Sequence, residues 1–199
     1  MGNFLHVGCG QNTKSMTTRG FNSPEWSEIR LDIDSNVDPD IIGSMTDMSA
    51  VATESVDALF SSHNIEHLYP HEIPLALNEF LRVLKPEGFA VITCPDLQSV
   101  SKLIAEDKLA EPAYQSPAGP IAPLDILYGY RPAMAAGNLF MAHRTGFTKR
   151  TLIETLLAAG FKQVGGKQRS HYFDLWAIAS KADLGEKKLL KTASEHFPI

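Results

Sequence analysis

The strongest constraint on the fold is the order of five short segments in the first half of the chain. They are LHVGCG (5–10), RLDID (30–34), GSMTDM (43–48), VDALFSSHNIEHL (56–68) and RVLKPEGFAVITCPD (82–96). Each sets a short apolar run against a glycine, acidic or small polar stretch. Runs of this length and boundary chemistry read as buried strands: Asn3–Val7, Ile29–Ile33, Ile41–Gly43, Asp57–Phe60 and Phe89–Thr93. Between the last two, His71–Leu84 is an amphipathic helix with Ile73, Leu77, Phe80, Leu81 and Leu84 on one stripe. Strands alternating with helices dictate an α/β fold, a largely parallel sheet covered on both faces.

Beyond Asp96, which can cap a helix carrying Leu97, Val100, Leu103 and Ile104, the pattern breaks. Pro112, Pro117, Gly119, Pro120 and Pro123 interrupt residues 107–123, and Tyr128, Tyr130, Arg131, His143 and Arg144 follow among small residues. A connection as long as 107–147 is usually functional or mobile. Periodicity returns at Thr148, which caps a helix stopped by Gly160. Phe161–Val164 and Phe173–Ser180 then read as two closing strands joined around Gly165-Gly166, an antiparallel hairpin at one edge. Residues 181–199 read as a partly ordered helical tail. The 199 residues fit one domain.

Charge narrows the partners. No Lys or Arg lies between Arg30 and Arg82, whereas ten Asp or Glu lie from Asp32 to Glu79. Phosphate-backbone binding needs clustered cations, so nucleic acid is disfavoured. The basic residues of the second half alternate with Glu154, Asp174 and Glu186, as on a solvated face. No apolar run is long enough to span a bilayer, and no secretory signal is visible. Cys9 and Cys94 make no disulfide framework, which points to a reducing cytoplasm. A homodimer is compatible with these features.

Gly8-Cys9-Gly10 directly follows the first strand, where a backbone without Cβ can turn sharply against a ligand. Asp32 ends the second strand, 22 residues after Gly10, where a carboxylate can accept both hydroxyls of a ribose; Asp34 is the alternate. Asp47-Met48 follows the third strand. A tight structural turn, a capped acidic loop and a helix cap are the plain readings of these three places.

Taken together, the five segments resemble the class I S-adenosylmethionine-dependent methyltransferases, in particular the type 11 methyltransferase-like group. The resemblance spans roughly residues 3–180. It implies a doubly wound, Rossmann-like, mostly parallel seven-stranded sheet with an antiparallel terminal hairpin, and residues 107–147 as an inserted, substrate-covering segment. It implies that Gly8, Cys9 and Gly10 lie beside the methionine part of the cofactor and that Asp32 or Asp34 holds the ribose. It further sets Asp47 and the Met48 N–H against adenine, with Ser62 and His63 beside the transferable methyl. The cofactor is then S-adenosylmethionine and the product S-adenosylhomocysteine. Two departures from the family pattern are Gln11-Asn12-Thr13 in place of further glycines, and His6 where many members carry an acid.

Methyl transfer to an alcohol, amine or phenol requires a base, and His63 and His143 are the candidates. Tyr128, Tyr130, Arg131 and Arg144 could form a lid over a small or medium polar acceptor, with arginine suited to a carboxylate or phosphate. Two other readings remain open. One is a non-catalytic cofactor-binding or regulatory protein of the same fold. The other is a zinc hydrolase using His63-x-x-Glu66-His67, an inverted zinc-peptidase spacing. Pro70 leaves little room for the helix that a zinc site of that type needs, so no metal is expected.

Overall fold

The computed structural model describes residues 1–198. Seven strands form one sheet: β1 (Gly2–Val7), β2 (Trp26–Asp32), β3 (Ile41–Ile42), β4 (Val56–Ser62) and β5 (Leu84–Pro95), then the two closing strands Gln163–Arg169 and Asp174–Ser180. Helix α1 (Ile73–Val83) joins β4 to β5, and α2 (Leu97–Ala105) follows β5, its Gln98 N–H donating to Asp96 Oδ1 at 3.1 Å. The segment after α2 holds a small hairpin, β6 (Tyr114–Ser116) and β7 (Gly119–Ile121), and two short helices, α3 (Pro123–Tyr128) and α4 (Arg131–Ala135). Next comes α5 (Lys149–Ala159). Gln163–Arg169 and Asp174–Ser180 are β8 and β9, and α6 (Glu186–His196) ends the chain.

The strand order is β3-β2-β1-β4-β5-β9-β8. Pairs among β1 to β5 are parallel; β5–β9 and β8–β9 are antiparallel. The chain runs outward from β1 to β3, then returns to place β4 against the other side of β1. That reversal opens a crevice at the carboxyl ends of β1 and β4, where Val7 sits opposite Ser61. The closing hairpin differs from the sequence expectation in one respect. Gly165 and Gly166 lie inside β8, paired with Ile178 and Ala177, and the turn falls at 170–173. A side chain at Gly166 would meet Ile153 at 3.0 Å, so this glycine lets α5 pack closely on the strand.

The two faces of the sheet are covered unequally. On one, α1 and α5 bury Leu77, Phe80, Leu152 and Leu156 against Leu5, Leu59 and Ala177. On the other, a helix between β1 and β2 would be ordinary, yet residues 8–25 hold only the 3-10 turn Lys14–Met16. Phe21 from that loop stacks on Phe4 at 4.3 Å, and the far end of the chain supplies the missing cover. Leu189 and Ala193 of α6, with Phe197, pack beside Phe4, Phe60 and Ile178. The tail is therefore an integral layer. Among the described residues, no helix is long and apolar enough to cross a membrane.

Candidate functional site

A cavity of about 470 Å³ opens at the carboxyl ends of β1, β2 and β4, within the range of small-molecule sites. Gly8, Cys9, Gly10, Asp32, Asp34, Ser62 and His63 all line it.

The glycine loop is held from three sides. Gly8 has φ +64°, and a Cβ there would overlap the Asn64 carboxamide. Asn64 needs that approach, since its Nδ2 donates to the Val7 carbonyl at 3.0 Å, the Gly8 carbonyl at 3.3 Å and the Ser62 carbonyl at 3.0 Å. It thereby staples the end of β1 to the end of β4. Asp32 is buried; Oδ2 accepts the Gly10 N–H at 2.7 Å and Oδ1 accepts the Asp34 N–H at 2.9 Å. Arg30 closes the third side, donating to the carbonyls of Gly10 (2.7 Å), Asn12 (3.2 Å), Val37 (3.1 Å) and Asp38 (2.7 Å). Asn64 and Arg30 escape sequence reading, because a side chain that binds backbone carbonyls carries no motif.

His6 belongs to this scaffold too. It is buried, and Nδ1 lies 2.7 Å from Glu28 Oε1, while Glu28 Oε2 accepts the Lys14 N–H at 2.7 Å. Burial pulls the imidazole below its ordinary value despite the Glu28 carboxylate, so His6 anchors the loop rather than facing a ligand. Burial likewise pushes the Cys9 thiol up to about 11, and Cys94 well above its ordinary value. Neither thiol is a nucleophile near neutral pH.

Asp47 and Met48 lie outside the cavity. The Met48 N–H donates to Glu79 Oε2 at 2.7 Å and its side chain is buried in the core, while Asp47 Oδ1 accepts the Ser49 N–H at 3.1 Å. Both groups are already committed to local structure. Ser44, Met45 and Thr46, just before them, line the cavity instead. Across from them stands Ile33, half exposed although it directly follows the buried Asp32. Ile33 gives the cavity an apolar wall directly beside the buried Asp32 carboxylate. Phe140 and Asn138 of the 107–147 segment complete the rim.

A second cavity of about 340 Å³ adjoins the first; His63, His67 and Met141 line both. Glu66, His143, Tyr114, Tyr130 and Phe173 are among its other walls. His63 sits at the carboxyl end of β4 with φ +54°, an uncommon conformation for a side chain of this size. Its Nδ1 lies 3.4 Å from Glu66 Oε1. Burial pulls the His63 imidazole down, but the Glu66 carboxylate, aided by Asp174, outweighs it and holds the group above its ordinary value. Burial pushes Glu66 up, and His63, His67 and His143 together hold it below the usual carboxylate range. Burial lowers His143.

The structure places His63 and His143 on the walls of one cavity but scatters the four lid residues. Tyr130 lines the second cavity, its hydroxyl donating to the Ala118 carbonyl at 2.7 Å. Tyr128 is largely exposed and lines neither cavity. Arg131 also lines neither; it forms a two-point pair with Asp125, Nε–Oδ1 2.6 Å and Nη2–Oδ2 3.0 Å. Arg144 lines the first cavity, donates to the His67 carbonyl at 3.2 Å and lies 4.7 Å over the Tyr69 ring. Its guanidinium and that of Arg131 are thus spent on the protein. His63-x-x-Glu66-His67 does not form the helix of a zinc peptidase, since only a 3-10 turn, Ile65–His67, is present.

Residues 5–92 match the sequence profile of a family described as a methyltransferase domain. No curated protein matches the sequence. Solved structures share the fold. A SAM-dependent methyltransferase from Archaeoglobus fulgidus is 15% identical, with a TM-score of 0.57 over 90% of this chain and 86% of that one. The 1,6-didemethyltoxoflavin-N1-methyltransferase of Burkholderia thailandensis, solved with 1,6-didemethyltoxoflavin and S-adenosylhomocysteine, is 15% identical, with a TM-score of 0.59 over 92% and 72%. A SAM-dependent methyltransferase from Thermotoga maritima is 13% identical, with a TM-score of 0.58 over 92% and 83%. At such identities the likeness is one of fold. S-adenosylmethionine is the cofactor of the family, and the first cavity suits it: open space beside Gly10, a buried carboxylate at Asp32 and an apolar wall at Ile33. Residues 5–92 thus match the methyltransferase-domain family, and the remainder completes the seven-stranded sheet that the chain shares with the solved SAM-dependent methyltransferases.

Proposed function

We propose that the protein transfers a methyl group from S-adenosylmethionine to a small or medium polar acceptor held in the second cavity. The observation that carries this reading is the shared wall of the two cavities, formed by His63, His67 and Met141. A donor in one and an acceptor in the other would meet across it, and alignment of this kind is the main contribution a protein makes to such a reaction. When bound, the cofactor supplies a sulfonium-activated methyl for in-line displacement.

The chain's own residues then have distinct tasks. Asp32 accepts hydrogen bonds from the ribose while its other lone pairs keep the glycine loop in place. Ile33 and Met45 enclose the adenine, and Ser44 and Thr46 offer hydroxyls to its edge. His63, half exposed at the junction, hydrogen-bonds the acceptor's nucleophilic group. His143 and the aromatic walls Tyr114, Tyr130 and Phe173 define the acceptor's size. The 107–147 segment closes both cavities, which keeps water from the reacting centre.

Titration calorimetry with S-adenosylhomocysteine tests the cofactor half, and a panel of small hydroxyl and amine acceptors assayed for S-adenosylhomocysteine release tests the transfer. Binding that Asp32→Ala weakens, with turnover that His63→Ala lowers far more than it lowers cofactor affinity, supports the reading. Failure of well-folded protein to bind S-adenosylhomocysteine removes it and favours a scaffold of the same fold.

A further inference from the structure

We propose that Glu66, His67 and His143 form a binding site for a divalent transition-metal cation whose free coordination positions face the second cavity. One donor atom from each of the three lies within 4.8 Å of the others. All three side chains line that cavity.

Glu66 carries the argument. Its side chain is wholly buried, neither carboxylate oxygen accepts a hydrogen bond, and the one facing ring nitrogen outside the cluster, His63 Nδ1, stays 3.4 Å from Oε1. A buried carboxylate without partners is costly, and proteins keep one where a cation or donor completes it. His63 offers only that long contact, and the His67 and His143 rings cannot be the donor through Nδ1. His67 Nδ1 lies 3.1 Å from the Ala142 carbonyl and His143 Nδ1 lies 2.8 Å from the Ile126 carbonyl. A carbonyl only accepts, so in both rings Nδ1 bears the hydrogen and neutral Nε2 keeps its lone pair. An imidazole anchored by one N–H on a backbone carbonyl, with the other nitrogen free, is the usual arrangement of a metal-bound histidine. The result is a cluster of two nitrogen lone pairs and one wholly buried carboxylate, rich in electron pairs.

The backbone holds the cluster together. The Arg144 and Thr145 N–H groups both donate to the Glu66 carbonyl, at 2.8 and 3.2 Å. This docks the segment bearing His143 onto the turn bearing Glu66 and His67. Three donors, two imidazole nitrogens and one carboxylate oxygen, suit Zn2+ or Mn2+; Mg2+ and Ca2+ favour oxygen sets. Three protein ligands also leave positions open, as catalytic metal sites do. The ligand class for those positions is a small molecule with a hydroxyl or carboxylate oxygen. A hydroxyl bound there loses its proton to solvent more readily. The acceptor part of this inference rests on the methyl-transfer reading; the cation site does not.

The test uses tag-free, chelator-treated protein, dialysed against ZnCl2 or MnCl2 and assayed by atomic spectrometry. CoCl2 serves as the spectroscopic probe, and S-adenosylhomocysteine calorimetry is run on the same samples. Expected are one cation per chain, a raised Tm and Co2+ d–d bands of a nitrogen and oxygen set. Losing a residue that only orients a ligand weakens such sites by about 10–100-fold, so Glu66→Gln and His143→Ala should weaken binding by about 100-fold or more. His71→Ala, exposed and outside the cluster, should change nothing. Folded wild-type protein that retains no cation and shows no Co2+ bands overturns the proposal, whether or not either variant folds. So does binding that survives both substitutions. Cation binding without S-adenosylhomocysteine binding would leave the metal site standing and remove the methyltransferase reading.

Discussion

Thr18 Oγ1 and His196 Nδ1, 178 positions apart in the chain, share a 2.7 Å hydrogen bond in the interior. The His196 ring also lies 4.2 Å from that of Phe21 and 5.3 Å from that of Phe89, and a side chain at Gly20 would meet it at 2.6 Å. The end of α6 is thus locked onto the β1–β2 loop that supports the glycine turn. Thr18→Val should leave the imidazole without its partner and destabilise the fold by about 1–3 kcal/mol, read by urea denaturation. A protein ending before α6 should expose Phe21 and Trp176, lose cooperative unfolding and bind S-adenosylhomocysteine poorly.

Burial alone pushes His196 down to about 4. In the unfolded chain the group titrates near ~6.5. Above that value neither state binds the proton and this residue adds no pH dependence. Between about 6.5 and 4 the unfolded chain binds a proton that the folded chain refuses, so stability falls as pH falls, by roughly 3 kcal/mol across the window. His6, also lowered, contributes in the same sense. Urea midpoints from pH 7 to pH 4 for wild type and His196→Phe isolate the effect, with a shallower slope expected in the variant. Equal slopes would mean that His196 charges without unfolding the chain.

Gly8→Ala and Gly10→Ala should separate stability from binding. Both positions have positive φ, which costs an L-residue roughly 1–2 kcal/mol. At Gly8 the new methyl also displaces Asn64 and so unstaples β1 from β4. At Gly10 nothing of the protein lies within 4 Å, so the methyl enters the cofactor cavity instead. Thermal unfolding should show the larger loss for Gly8→Ala. Gly10→Ala should lose S-adenosylhomocysteine affinity out of proportion to its modest fall in Tm.

Asp32→Ala removes the acceptor of two backbone N–H groups as well as the proposed ribose contact. Charged hydrogen bonds contribute about 1.5–3 kcal/mol each, so affinity for S-adenosylhomocysteine should fall by roughly 100-fold. Asp34→Ala should cost far less, since Asp34 Oδ1 accepts only from Asn36, at 2.9 and 2.7 Å. Equal losses from both would mean that the ribose sits on the second carboxylate.

Cys9 and Cys94 are both buried, with thiols held above their ordinary values. At pH 8 a disulfide reagent should titrate neither in the native protein and both in denaturant. Rapid native reaction of one thiol would place it on a mobile surface.

The sequence by itself determined the α/β class, the glycine turn, the place of Asp32 at a strand end and the antiparallel closing hairpin, because each depends on local pattern. Strand periodicity, a missing Cβ and a carboxylate at a strand end all act within a few residues of themselves. It offered the Met48 N–H to a ligand, since nothing local reveals that this group is already given to Glu79, 31 positions away. It read Arg131 and Arg144 as ligands for substrate, whereas tertiary contacts with Asp125 and Tyr69 had taken them. His67 and His143 stand 76 positions apart, their rings 4.9 Å from each other, and only the docking of Thr145 and Arg144 on Glu66 brings them there. Chemistry made by converging loops depends on packing between distant segments, which leaves no periodic trace along the chain.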